Sequence, residues 1–158
     1  MPRPAITEIA ASPNSPFLEG ANWADAFVTT IPGQRLTAPQ VVSRMFGATP
    51  PAWARFLNTL RDRLGSLIGL KPGEAKDDGS QAGSFPVTHQ TDDTVVFGFD
   101  DWHLNFRVVV EVTEQDSGSL VVASTLVQRK HWFGYAYLTL ISPFHKLIVR
   151  RLLRNVAA

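Results

Sequence analysis

Cysteine is absent from the 158 residues. That excludes a disulfide framework, thiolate chemistry and any sulfur-based zinc site, and it permits a reducing compartment. Charge is sparse too: Asp, Glu, Lys and Arg make up 18% of the chain, with a formal net charge of +1, which argues against a general nucleic-acid binder. No apolar run is long. The longest uncharged one, Trp132 to Phe144, falls well short of the ~20 residues that cross a bilayer, so no membrane span is expected. In the opening "MPRPAITEIAASPNSPF", Glu8 interrupts a short apolar run and prolines follow, so no secretory leader is expected either. A soluble, cytoplasmic protein is the resulting expectation. Also missing are Gly-x-Ser-x-Gly and the close glycines before a helix that cradle phosphate; the glycines of "GSQAGS" precede a strand instead. No cofactor is expected.

What is present suffices for one domain, since 44% of the residues are apolar and the length allows a core without staples. Residues 1–22, rich in Pro, Ser and Asn, read as an irregular arm, and the domain is expected over 23–158. "WADAFVTTIPG" suits an opening strand ended by Pro32 and Gly33. Pro39 fits the first turn of a short helix through Met45. A second helix is predicted from Thr49 as N-cap, with Trp53, Phe56, Leu57, Leu60, Leu64, Leu67 and Ile68 on one stripe.

After the polar loop "KPGEAKDDGSQAGS" come four β-rich segments joined by tight polar turns, an antiparallel meander. In the third, Leu104, Phe106, Val108, Val110 and Val112 alternate with more polar positions, as in a strand with one buried face. The chain ends in a helical segment whose Tyr137, Ile141, Phe144, Ile148 and Leu152 are predicted to line the inward face, with a kink or restart at Pro143. The order β-α-α-β-β-β-β-α predicts an α+β fold, an antiparallel sheet wrapped on a long C-terminal helix.

Charge is uneven along this order. Ten of fourteen acids lie between Glu74 and Asp116; none follows, while Arg129, Lys130, Lys146, Arg150, Arg151 and Arg154 do. Cations in the last turns of a helix complement its dipole, which explains part of this pattern; a basic binding patch is the alternative.

The blocks "DDWHLNFRV", "FGYAYL" and "SPFHKLIVRRLL" resemble those of a bacterial family known as domain of unknown function 2867, over about Trp23 to Arg154. The element order is also similar to the START-like, polyketide-cyclase-like helix-grip superfamily. That resemblance implies a small apolar molecule held between sheet and long helix. Some members of the resembled family follow a nucleotide-sugar-epimerase-like Rossmann domain; these 158 residues contain none, so no cofactor is implied from that source.

Within this frame the expected ligand lining is Trp53, Phe97, Phe106, Tyr137, Phe144 and His145. His145 borders the apolar stripe and is either a satisfied structural residue or a hydrogen-bond donor and acid-base group, since imidazole titrates near neutrality. Arg107 is either a solvated residue of the outer face or a binder of an acidic ligand group.

A metal or acid-base enzyme is the alternative. If the Asp116-Ser117-Gly118 loop is a three-residue turn, Gln115 pairs with Ser119 and His131 falls opposite His103, with Asp101 sharing their face: the ligand types of a non-haem iron site. Against this, Asp100 and Asp101 suit a turn and His103 simply begins the strand, and the hairpin corner is the preferred expectation. A third reading is an interaction module with a filled core that docks through its basic last helix and Trp132, Phe133 and Tyr135. A homodimer stays open.

Overall fold

The computed structural model describes residues 5–46, 81–82, 85–100 and 103–157. It is an α+β fold with one antiparallel sheet and a long C-terminal helix, as expected. The strands are β1 (Thr7–Ile9), β2 (Trp23–Pro32), β3 (Gln81–Ala82), β4 (Phe85–Gln90), β5 (Thr94–Asp100), β6 (Leu104–Gln115) and β7 (Gly118–Arg129), in the sheet order β1-β2-β7-β6-β5-β4-β3. The helices are α1 (Ala38–Phe46) and α2 (Trp132–Ala157). The predicted second helix, with Trp53, lies outside the described residues.

Period-two alternation sorts the side chains. Phe27 and Ile31 of β2, Val121 and Ala123 of β7, Val110 and Val112 of β6, and Val95 and Phe97 of β5 form one core with both helices. Thr37 caps α1 reciprocally: its N–H donates to Gln40 Oε1 at 2.9 Å, and the Gln40 N–H donates to Thr37 Oγ1 at 3.3 Å. The opposite face of the sheet is not left to solvent. Val96, Val109 and Leu126 meet Leu18 and Phe17 of the N-terminal arm there, and the arm's Thr7–Ile9 pairs with β2. The arm thus lies on the sheet, where it pairs with the β2 edge and covers apolar surface on the face opposite α2.

Two expectations about geometry are corrected. The β6–β7 connection is a two-residue turn, with Gln115 paired to Gly118 rather than to Ser119. Gly118 has φ +144°, and a Cβ there would sit 2.1 Å from the Ile31 carbonyl oxygen of β2. Close approach of the third strand thus selects glycine and fixes where the turn ends. Gly118→Ala is expected to cost at least about 1–3 kcal/mol, the range for a residue held in an unfavourable backbone region. Urea unfolding would check it, and an unchanged midpoint would remove this account of the register.

The other correction concerns α2, which continues as one helix through Pro143 and does not restart there. Its inward side carries Leu138, Val149, Leu152, Leu153 and Val156, whereas Phe144 is 60% exposed. Leu152 of the predicted stripe is buried and Ile148 and Tyr137 pack against the core clusters, while Phe144 faces outward; apolar residues occupy most of this helix's circumference, so periodicity did not mark the edge of the inward side.

Candidate functional site

The alternation of β2 puts Trp23, Asp25, Phe27, Thr29 and Ile31 on the face beneath α2. Asp25 is therefore carried inward with its apolar neighbours. Its side chain is 3% exposed and lies directly across from the buried Thr125 of β7. From α2, on the same inward side as Val149, His145 brings Nε2 to 3.3 Å from Asp25 Oδ2. The approach is close but off-axis: neither Asp25 oxygen, nor His145 Nε2, makes a hydrogen bond of good geometry with the described residues. The Trp23 ring meets the imidazole edge-on, with centroids 6.1 Å apart. Beside this group is a shallow depression of about 290 Å³ lined by Trp23, Arg129, Leu138, Thr139, Ser142 and Pro143. Pro143 lacks an N–H, so the Thr139 carbonyl loses its helical donor at the rim.

Contacts at both ends of α2 set its rotation. Toward its C-terminus, Lys146 pairs with Glu8 of β1, and Arg150 donates to the Ile6 carbonyl at 3.1 Å with its guanidinium 5.1 Å from the centre of the Phe27 ring. At the start, His131 caps the helix: its Nδ1 accepts the Phe133 N–H at 3.3 Å, and its carbonyl accepts the Gly134 N–H at 2.9 Å. Asn22 fastens the end of β7, its Oδ1 accepting both the N–H and the Nε–H of Arg129 at 3.0 Å, and reaches the first turn of α2 by donating from Nδ2 to the Tyr135 hydroxyl at 3.4 Å. His145 is held over Asp25 between these anchors.

Other expected site residues fall elsewhere. Tyr137 and Phe106 flank the small cluster of Leu104, Val127 and Leu138, next to Trp23 and the depression. Phe97 sits in the main core, edge-on to Phe46 at 5.5 Å. Phe144 faces outward, and Trp53 lies outside the described residues.

The metal set is not assembled as predicted. Leu104 pairs with Arg129, and the Lys130 N–H donates to the His103 carbonyl, so the two-residue turn leaves His131 one position too far along. His131 is exposed at the helix cap; His103 is buried with its ring against Phe133 and Tyr137. Among the described residues no group of three His, Asp or Glu is placed to hold a metal, and Asp101 is outside them. Arg107 is on the outer face and is engaged by Asp100 at 2.9 Å and the Phe106 carbonyl at 2.8 Å. Asp100 is the last residue of β5, and Asp101, the other acid of the predicted corner, lies outside the described residues.

At the β4–β5 turn, hydroxyl donors from Thr91 and Thr94 hold the Asp93 carboxyl below the usual carboxylate range. It is an exposed turn residue with no role at the site. A larger hollow, about 470 Å³, lies within arm residues 13–21 and touches none of the candidate residues.

Asp25 was missed as a site residue. Its signal was available: an acid of the same parity as Trp23, Phe27 and Ile31 within an otherwise apolar run.

No curated protein and no solved structure matches the chain. Among the described residues, no helix is long and apolar enough to cross a membrane. A family model matches residues 17–152, and the chain belongs to that family, described as protein of unknown function (DUF2867).

Proposed function

We propose that this domain binds a small, mainly apolar molecule at the junction of β2, β7 and α2, in the manner of a START-like helix-grip fold. The Asp25–His145 pair receives the molecule's one polar end. The observation that carries the reading is the Asp25 carboxylate, buried with no hydrogen bond from the described residues and with the off-axis His145 imidazole 3.3 Å away. Burying such a group costs several kcal/mol unless it is compensated, so its retention calls for a role beyond packing. Trp23, Leu138, Phe106 and Tyr137 supply the apolar lining; His145 and the Thr139 carbonyl supply a donor and an acceptor. A ligand with a hydroxyl or amine at one end of an apolar body fits this chemistry.

The same pair supports a second reading. Asp25 fixes the imidazole of His145, and an oriented imidazole beside a depression moves protons to and from a bound molecule.

Gentle native mass spectrometry of the freshly purified chain, compared with its denatured mass, tests the binding reading. A non-covalent organic mass is expected in the wild type and is expected to disappear in Asp25→Asn and in His145→Ala. Retention of the mass by both variants, or its absence from the wild type, would count against the site.

A further inference from the structure

The outward side of α2 is as apolar as the inward one. Leu140, Phe144 and Leu147 are 72%, 60% and 65% exposed, and Trp132 near the helix start is 71% exposed. The spacing of four and three residues aligns the first three along one line of the helix. With Trp132 the stripe runs for roughly 22 Å at 1.5 Å per residue. Its C-terminal end is bounded by exposed Arg151 and Arg154, neither of which is paired with an acid among the described residues, and Lys130 stands before its other end. No acid occurs anywhere after Asp116.

From this we infer that the outer face of α2 docks on an anionic lipid surface, with Leu140, Phe144 and Leu147 entering the headgroup–acyl boundary and Arg151 and Arg154 binding the headgroups. The pattern is that of a helix lying in the plane of the interface: Leu, Phe and Trp on the buried side, cations at its margins, no acid to be repelled. Trp132 sits where an amphipathic ring anchors at headgroup level. The charge pattern decides against a second copy of the chain as occupant. Paired in parallel, two such faces bring arginines together; paired antiparallel, they set Arg151 and Arg154 toward Lys130; neither helix has a carboxylate to meet them. A bilayer surface also needs no shaped groove, and this face is a single convex ridge.

Co-sedimentation of the full chain with vesicles tests the inference, using phosphatidylcholine and an equal mixture of phosphatidylcholine and phosphatidylglycerol. Binding to the mixed vesicles is expected to be strong, to weaken with added salt and to be slight on pure phosphatidylcholine. Arg151→Glu with Arg154→Glu is expected to lower it on the order of thirty-fold or more, from the worth of two surface cations. Leu140→Ser with Phe144→Ser is expected to abolish it. Because these side chains are exposed, circular dichroism and the urea midpoint should stay at wild-type values, which separates lost docking from lost folding. The inference is overturned by failure of the wild type to pellet with the mixed vesicles, or by undiminished pelleting of both variants. It is also overturned by a concentration-dependent dimer, or by capture of an acidic peptide without vesicle binding, when the same variants remove that association.

Discussion

Substituting His145 with leucine is expected to lower the unfolding free energy by about 3–5 kcal/mol, because it leaves the Asp25 carboxylate buried with no compensating group. The His145 side chain is 19% exposed, but its Nε2 and both Asp25 oxygens are buried, so the polar atoms of the pair are shielded from water. Adding Asp25→Val to the same chain is expected to reverse the loss and to leave the double variant about as stable as the wild type, or up to about 1–4 kcal/mol more so. Valine suits position 25, which lies in mid-strand between the inward-facing Trp23 and Phe27. Urea unfolding of the two single variants and the double variant closes the cycle. A His145→Leu variant as stable as wild type would mean that solvent already compensates Asp25, and the buried carboxylate would lose its significance. The cycle speaks only to stability; loss of the bound mass in the more stable double variant would show that the pair is kept for binding at the expense of the fold.

Phe27→Ala is expected to be the most damaging single truncation, at about 3–5 kcal/mol, and to lower the melting temperature by on the order of 10 °C. Phe27 is fully buried at the centre of the face that α2 covers, and its ring also faces Arg150 at 5.1 Å and Lys146 at 6.0 Å. Removing it opens a cavity under the helix and takes away the surface over which those cations lie, a contribution of about 0.5–1 kcal/mol at partly exposed sites. Phe144→Ala is the matched control. It removes an aromatic ring of the same size from the opposite side of α2 and is expected to change stability by no more than about 0.5 kcal/mol. Similar losses for the two substitutions would mean that the helix is rotated toward the face first predicted for it.

That contrast marks the boundary of what the residues reveal before folding. The meander was legible because β-branched and aromatic residues alternate with polar ones in β6 and polar turns punctuate the strands. The capping of α1 was legible in part through Pro39. Register was not, because Asp116-Ser117-Gly118 is compatible with a two-residue or a three-residue turn. The choice between them is made by the Ile31 carbonyl, which belongs to a strand more than eighty positions earlier in the chain. One residue of slip separated His131 from His103. β1 carries no pattern of its own: Thr7, Glu8 and Ile9 are all exposed and are a strand only because β2 offers an edge. The inward side of α2 was ambiguous because both of its sides are apolar, and only packing against Phe27 and Asp25 resolves them. The candidate site suffered twice, since its acid lies on the first long strand and its imidazole on the last helix.

The pairing of β2 with β7 also has a consequence in time. Most strands here meet the strand made just before them, but Asn22 and Arg129, which fasten this seam, are 107 residues apart. During synthesis β2 leaves the ribosome as a largely apolar segment and has to wait for nearly the whole domain before its permanent neighbour exists. Closure of that long loop is an entropic step that local hairpins cannot shorten, so completion of the sheet comes late and is slow relative to the meander. The Asp25–His145 pair comes into being only after it. A chain interrupted before β7 has the β4–β5–β6 meander and a β2 paired only along β1, with its other edge open, the kind of exposed edge on which aggregation begins.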